Sequence, residues 1–292
     1  MTVLRVDEAL AWAEQQLGAV SESDTSARLL LAHVLGRSVT DLFVHPEWAL
    51  TGPQQAEFER LVARRADYEP VAYLIGHRAF FDLDLAVDVR VLIPRQETEL
   101  LVECALDLAR CWPQSRVADV GTGSGAIAVS LAVHLPRATI WAVDRSAEAL
   151  EVARANARRC GVEGQIAFLQ GDMLSPLPGQ VDLIAANLPY VSESEYADLP
   201  PDVRRYEPCQ ALLAGVDGLA AIRALLRQAP EYLAPDGIIL LEIGAGQGAA
   251  VAALARNTFP QARIEAMQDY AHLDRIIIID LGMCYDRQTH SL

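Results

Sequence analysis

From Arg116 onward, short apolar runs alternate with helical stretches, and this rhythm constrains the fold more than any other feature. The runs fall at 116–120, 138–143, 165–169, 181–186, 237–243 and 274–280, with a weaker one at 262–267. Helical stretches such as 147–159 and 217–230 separate most of them. Strand–helix alternation of this kind predicts an α/β fold with an open, mostly parallel sheet covered on both faces. The tetra-isoleucine Ile276–Ile279 fits a strand buried on both sides. Ligands of such sheets bind at the carboxyl ends of the strands, near the point where the strand order reverses.

The first seventy or so residues have a different texture. Val6, Leu10, Ala13 and Leu17 form one apolar stripe at helical spacing. Asp24 is placed to cap a second helix carrying Leu29, Leu30, Val34 and Leu35, stopped by Gly36. Thr51 with Pro53 marks the start of a third. Alternation across 79–93 (AFFDLDLAVDVRVLI) predicts a hairpin, followed by a helix over Glu97–Cys111. No internal repeat or low-complexity segment interrupts the chain.

With 292 residues, 52% of them hydrophobic, the chain can bury a sizeable core in one large or two ordinary domains. A formal net charge of −15 and the lack of a Lys/Arg block argue against a protein that grips nucleic acid through its phosphates. Cys104, Cys111, Cys160, Cys209 and Cys284 form no C-x-x-C pair and have no His at metal spacing, so no metal site is expected and a reducing cytoplasm is. The start of the chain has no apolar core of a secretory signal, and no aliphatic run is long enough to span a bilayer.

Asp119-Val120-Gly121-Thr122-Gly123-Ser124-Gly125 follows the first strand of the alternating region and opens a helix. Glycines let a backbone turn tightly and approach a ligand. The G-x-G-x-G spacing departs from the dinucleotide fingerprint G-x-G-x-x-G. An acid shortly before the first glycine suits S-adenosyl-L-methionine, whose amino acid end wants a carboxylate for its ammonium and N–H donors for its carboxylate. Asp144, at the tip of the second strand, is placed to accept from ribose hydroxyls. Asp172 and Met173, after the third, are placed for an adenine amine and ring. A second glycine-rich stretch, Glu242 to Gly248, also joins a strand to a helix. It lacks companion acids on neighbouring strand ends and reads as a tight turn.

Asn187-Leu188-Pro189-Tyr190 closes the run 181–186. The Asn187 side chain offers one acceptor and two donors. Its oxygen and the Leu188 carbonyl can accept the two hydrogens of a substrate –NH₂, with Pro189 biasing Leu188 to an extended backbone and Tyr190 offering a ring to a planar group. Such positioning suits an amide nitrogen, a poor nucleophile that gains most from orientation and from acceptors facing its growing positive charge.

The chain resembles the release-factor glutamine methyltransferases, the HemK/PrmC family. The resemblance runs through Glu69-Pro70-Val71-Ala72-Tyr73-Leu74-Ile75-Gly76, Leu92-Ile93-Pro94-Arg95-Gln96-Glu97-Thr98-Glu99, the Asp119–Gly125 loop, Asn187–Tyr190, Glu207-Pro208, Asp217-Gly218-Leu219 and Leu241-Glu242-Ile243-Gly244. It implies an N-terminal helical substrate-recognition domain (1–75), a hairpin linker (76–95) and a seven-stranded Rossmann-like class I methyltransferase domain (96–292). It also implies S-adenosyl-L-methionine as cofactor and, as protein substrate, the glutamine of the Gly-Gly-Gln motif in class 1 peptide release factors. A cytoplasmic monomer with no direct nucleic-acid or membrane partner is expected. The chain departs from the family in having Leu188 where Asn-Pro-Pro-Tyr is usual, and Gln96-Glu97 in place of Pro-Asp. Relatives that methylate a glutamine of a ribosomal protein, and adenine-N6 DNA methyltransferases with a similar Asn-Pro-Pro-Tyr loop, are the competing readings. A nicotinamide dehydrogenase fits less well, because the third glycine falls one position early.

Overall fold

A computed structural model describes residues 4–282; Cys284 and the ends of the first and third expected domains lie outside them. The chain divides into two compact units. One comprises residues up to His77 together with 200–206, the other Arg78–Leu199 and the residues from Glu207 onward.

The first unit is helical: α1 (Val6–Gln16), α2 (Ser23–Leu35), α3 (Val39–Val44), α4 (Gly52–Ala66) and α5 (Val71–Ile75). Val6, Ala13 and Leu17 of the expected stripe are buried in its core, alongside Leu30, Leu31, Phe58 and Leu61, with Leu10 packed against them. Thr51 caps α4 as expected, in a capping box with Gln54. Asp24 does not cap α2: Glu22 occupies that position in a left-handed conformation (φ 54), and Asp24 lies in the first turn, paired with Arg28. An acid there still favours the helix dipole. Buried Arg65 links Ser26, the Tyr68 and Glu69 carbonyls and Asp202. Arg205 and Tyr206 both bond Asp67. These contacts explain why 200–206 belongs to this unit although it lies far along the chain.

The second unit opens in a two-stranded hairpin, β1 (His77–Phe80, whose first residue counts with the first unit) and β2 (Leu83–Ala86), shorter than the alternation over 79–93 suggests. Val87, Val91 and Ile93 are buried without pairing as strands, so here the alternation reflects burial alone. After α6 (Glu97–Ala109) come β3 (Arg116–Val120), α7 (Ala126–His134), β4 (Thr139–Asp144), α8 (Ala147–Arg159), β5 (Ile166–Gln170) and β6 (Val181–Ala186). Next are α9 (Glu193–Asp198), α10 (Pro201–Tyr206, in the first unit), α11 (Ala220–Tyr232), β7 (Leu233–Glu242), α12 (Gly248–Thr258), β8 (Arg263–Gln268) and β9 (Asp274–Asp280).

The seven strands β3–β9 form one sheet in the order β5-β4-β3-β6-β7-β9-β8. Strands β5 through β7 in that order run parallel, while β9 is antiparallel to both its neighbours. Each strand divides its apolar side chains between two cores. Val117, Leu183, Ala185, Leu240 and Ile278 face one with α6 and α7. Ala118, Ile184, Ala186, Leu241 and Ile279 face the other with α11 and α12. Burial on both faces is why the strands read as apolar runs. The strand order reverses between β3 and β6, where the loops after these two strands part.

One buried side chain ties the hairpin to the loop after β3. Asn156 on α8 is fully buried. It accepts from Ala86 N–H (2.7 Å) and donates to the carbonyls of Ala86 (3.0 Å) and Ser124 (2.8 Å). Asn156→Ala leaves these groups unpaired, and the expected loss is about 2–4 kcal/mol, read by urea denaturation at constant m-value.

Candidate active site

The loop after β3 is shaped from below. Asp119 is wholly buried, and its Oδ2 accepts from the Thr122 hydroxyl (2.6 Å) and the Ala128 N–H (3.0 Å). Its Oδ1 has no partner, and burial pushes the carboxyl up to about 7. Gly121 turns the chain at φ +75, and the N–H groups of Gly121 and Thr122 both reach the Val143 carbonyl. A Cβ at Gly121 would press on Leu188 Cδ2 at 3.2 Å. Asp144 then braces the loop from β4, accepting from Gly123 N–H and Ser146 N–H at 2.9 Å each.

Above the strand ends lies a cavity of about 360 Å³, within the range of small-molecule sites. Of the residues singled out from the sequence, Gly121, Gly123, Asp144, Asp172, Met173, Asn187, Leu188 and Pro189 line it. Asp119, Thr122, Ser124, Gly125 and Tyr190 do not: Thr122 and Ser124 are buried within the loop, and Gly125 is the N-cap of α7, close against Ala153. Asp119 therefore stands away from the wall where an ammonium partner was expected, and its visible work is to hold the loop. Met173 takes a left-handed backbone (φ 51), uncommon for a side chain of its size. Ala211, Ala214, Gly215, Ala220, Ala221 and Ala224, with Arg90–Leu92, also line the cavity and were not anticipated. Their one sequence signal is the run of small residues leading into α11.

The donor set fits a nucleoside with an amino acid tail. The two glycines leave room for close backbone approach, and the Asp144 oxygens keep lone pairs beyond the two N–H bonds they accept. Met173 offers a polarizable apolar contact.

Asn187 is held from behind. Its Nδ2 donates to the hydroxyl of Thr98 on α6 at 2.9 Å, and Thr98 is buried. The stretch Glu242–Gly248 makes the expected strand-to-helix turn, but it also grips this loop. Gln247 Oε1 accepts from Gly244 N–H, and its Nε2 donates to the Tyr190 carbonyl, both at 2.9 Å. Gly218 is required beside it (φ +71), because a Cβ there would collide with the Tyr190 carbonyl oxygen. Burial pushes the Tyr190 hydroxyl up to about 12, with the Glu242 carboxylate adding to the shift. Nearby, buried Glu207 accepts from Ile93 N–H (3.1 Å) and pairs with Arg95 at 2.5 Å, anchoring the segment ahead of α6.

A seven-stranded sheet of this order, with a glycine loop, a strand-end acid and an Asn-x-Pro-Tyr loop around one cavity, defines a class I S-adenosyl-L-methionine-dependent methyltransferase. The PrmC N-terminal domain family matches residues 8–76, and the methyltransferase small domain family matches residues 96–199. Curated relatives named release factor glutamine methyltransferase include one from Nitratidesulfovibrio vulgaris, 42% identical over 92% of each chain. Another, from Bacillus anthracis, is 35% identical over 95% of this chain and 100% of its own. The chain belongs to the release factor glutamine methyltransferase family. Among solved structures, the hMettl16 catalytic domain in complex with MAT2A 3′UTR hairpin 6 has a TM-score of 0.56 at 14% identity, covering 88% of this chain and 93% of that one. A methyltransferase from Pyrococcus furiosus has a TM-score of 0.50 at 16% identity, covering 76% and 99%. Both share the fold.

Glu242, at the end of β7, is buried, and neither carboxylate oxygen has a partner at hydrogen-bond geometry. Burial raises its pKa from 4.5 to about 7. A carboxyl that holds its proton more tightly when folded favours the folded state at low pH and loses that contribution as pH rises through the folded pKa. Stability is therefore expected to fall between about pH 4.5 and pH 7, by up to ~3 kcal/mol from this group. Thermal melts across that range check it: Glu242→Gln should flatten the slope, leaving the share due to Asp119.

Proposed function

We propose that this protein transfers a methyl group from S-adenosyl-L-methionine to the side-chain amide nitrogen, N(5), of the glutamine in the Gly-Gly-Gln motif of class 1 peptide chain release factors. It does so as a cytoplasmic monomer that binds no nucleic acid directly. The observation that carries this reading is the Asn187 amide on the cavity wall, its nitrogen engaged by Thr98. Family membership and the relatives' shared name support the substrate. A net charge of −15 suits a protein substrate better than a nucleic acid. No helix among the described residues is long and apolar enough to cross a membrane.

Asp144 is assigned to the ribose hydroxyls, and Asp172 and Met173 to the adenine. The Gly121–Gly125 loop, set by Asp119, is assigned to the amino acid end. When bound, the cofactor supplies a methyl on a sulfonium, which needs a nucleophile but no prior activation. Asn187 Oδ1 and the Leu188 carbonyl accept the two hydrogens of the substrate amide and so fix its nitrogen in the plane. These acceptors also stabilise the positive charge that develops there. Pro189 keeps Leu188 extended, which aims the carbonyl.

With labelled cofactor, a release factor should be methylated, and replacing the glutamine of its Gly-Gly-Gln motif should abolish the label; persistence of label would overturn the reading. Asn187→Ala should lower kcat by roughly 100-fold or more while calorimetry finds cofactor affinity largely intact. Asp144→Ala should instead weaken cofactor binding roughly 10- to 100-fold, as expected for lost hydrogen bonds to a charged group.

A further inference from the structure

An asparagine can do the work assigned to Asn187 only in one of its two amide orientations. With the oxygen toward the substrate it accepts from an –NH₂; with the nitrogen there, two donors meet and repel. Nothing in the sequence of the motif selects between them. The selection lies on a different element.

The Asn187 Nδ2 donates to Thr98 Oγ1 at 2.9 Å. A hydroxyl carries one hydrogen and two acceptor lone pairs, so it can either accept from the amide nitrogen or donate to the amide oxygen. Which it does depends on where its own hydrogen goes. The side chain of Thr98 is buried, at 4% exposure, away from solvent that would take that hydrogen. The group it faces is Glu242, 1% exposed, with both oxygens unpartnered. Neither oxygen stands at hydrogen-bond geometry to the Thr98 hydroxyl, but that hydroxyl is close enough to favour the charged form of the carboxylate. Isolated buried carboxylates are costly, and this one is in neither the cofactor nor the substrate assignments above.

We propose that Thr98 is a positioning residue for Asn187: it accepts from the amide nitrogen and thereby leaves the amide oxygen for the substrate –NH₂, while Glu242 draws the Thr98 hydroxyl hydrogen to itself. This rests on the assignment of Asn187 as the acceptor of a substrate amide. The charged and titratable groups facing Glu242 are Glu97 on α6, Arg95 just before it, Arg275 on β9 and Tyr190 on the motif loop. The Tyr190 hydroxyl, kept protonated by burial, and the Thr98 hydroxyl are the neutral donors beside it. Protonating Glu242 replaces a charged acceptor by a weaker neutral one and adds a competing O–H donor, which loosens the hold on the hydroxyl hydrogen and weakens the selection.

The test reads the Asn187 side-chain NH₂ signals by NMR in Asn-labelled protein, identified by their loss in Asn187→Ala. In the wild type these protons should exchange slowly, and lowering the pH through about 7 should move them. Thr98→Val keeps the branched shape but removes the hydroxyl, and exchange should quicken roughly tenfold or more. Thr98→Ser should restore the wild-type signals, and Glu242→Gln should remove their pH response. In the methylation assay Thr98→Val should lower kcat roughly 10- to 100-fold, with the KM for the release factor and cofactor affinity little changed, and Thr98→Ser should recover most of it. Asn187 signals unaltered in Thr98→Val, or equal losses in Val and Ser, would overturn the proposal. The NMR arm needs no substrate, so a wild type that fails to label a release factor refutes the substrate assignment and leaves this arm decisive.

Discussion

The site depends on the register between β3 and β6. Asp119 lies opposite Ala185 and Val120 opposite Ala186, so the two strands end together and release their loops at the same height. One loop must carry Gly121 and the other Asn187, because these are the next residues in each chain direction. The order reversal at this pair sends the onward chains to opposite sides, and the crevice between them is the cavity. A slip of one residue would exchange the two faces of β6. Ala185 belongs to one core and Ala186 to the other, so the packing that buries the sheet also enforces the register of the site.

Around this register the polar groups are spent unevenly. Arg116 and Asp182, on adjacent strands far from the loop ends, satisfy one another with three hydrogen bonds, one to the Arg116 backbone. At the carboxyl ends the pattern changes: Asp119 keeps one oxygen unpaired and Glu242 both. Buried polar groups without partners oppose folding by roughly 1–3 kcal/mol each, more when charged. The place of Asp119 and Glu242 at the strand ends puts this cost where the loops must be held in one conformation. Asp119 holds the glycine loop through Thr122 and Ala128, while Gln247 holds the motif loop through the Tyr190 carbonyl.

The sheet was legible because its central strands, such as β6, β7 and β9, are buried on both faces, which leaves a nearly continuous apolar run and needs no knowledge of neighbours. Strand-end side chains followed from the strands. What could not be read were the side chains whose meaning lies in a distant partner. Thr98 is 89 residues from Asn187, Asn156 is 70 from Ala86, Gln247 is 57 from Tyr190, and Glu207 is 114 from Ile93. None of these carries a local signature, since Thr near a helix start or Gln in a turn is explained adequately by local structure. Asp119 shows the converse: its sequence position suggests a ligand contact, but only tertiary packing reveals that its carboxylate faces Thr122 and the start of α7. The segment 87–93 misled for a related reason, because alternate burial of Val87, Val91 and Ile93 imitates a strand that has no partner.

Leu188 stands where the family usually has a proline, and the structure shows what replaces the ring. A proline would restrict φ and remove conformational freedom from the unfolded chain, an effect of about 0.4–1 kcal/mol where the geometry is compatible. Leu188 has no such lock, but its side chain is only 3% exposed, belongs to the core cluster with Val120 and Ala186, and lies against Gly121. Burying a leucine contributes about 1.5–3 kcal/mol, so packing is at least comparable with the lost restraint. Pro189 still biases Leu188 toward an extended backbone. The carbonyl is thus aimed by the proline after it and anchored by the core beneath it, with the side chain and the Gly121 turn fitting each other. A proline at 188 would supply the ring but withdraw the leucine atoms over Gly121, so the residues on the two loops are coupled, and the restraint has moved from a torsion to a contact.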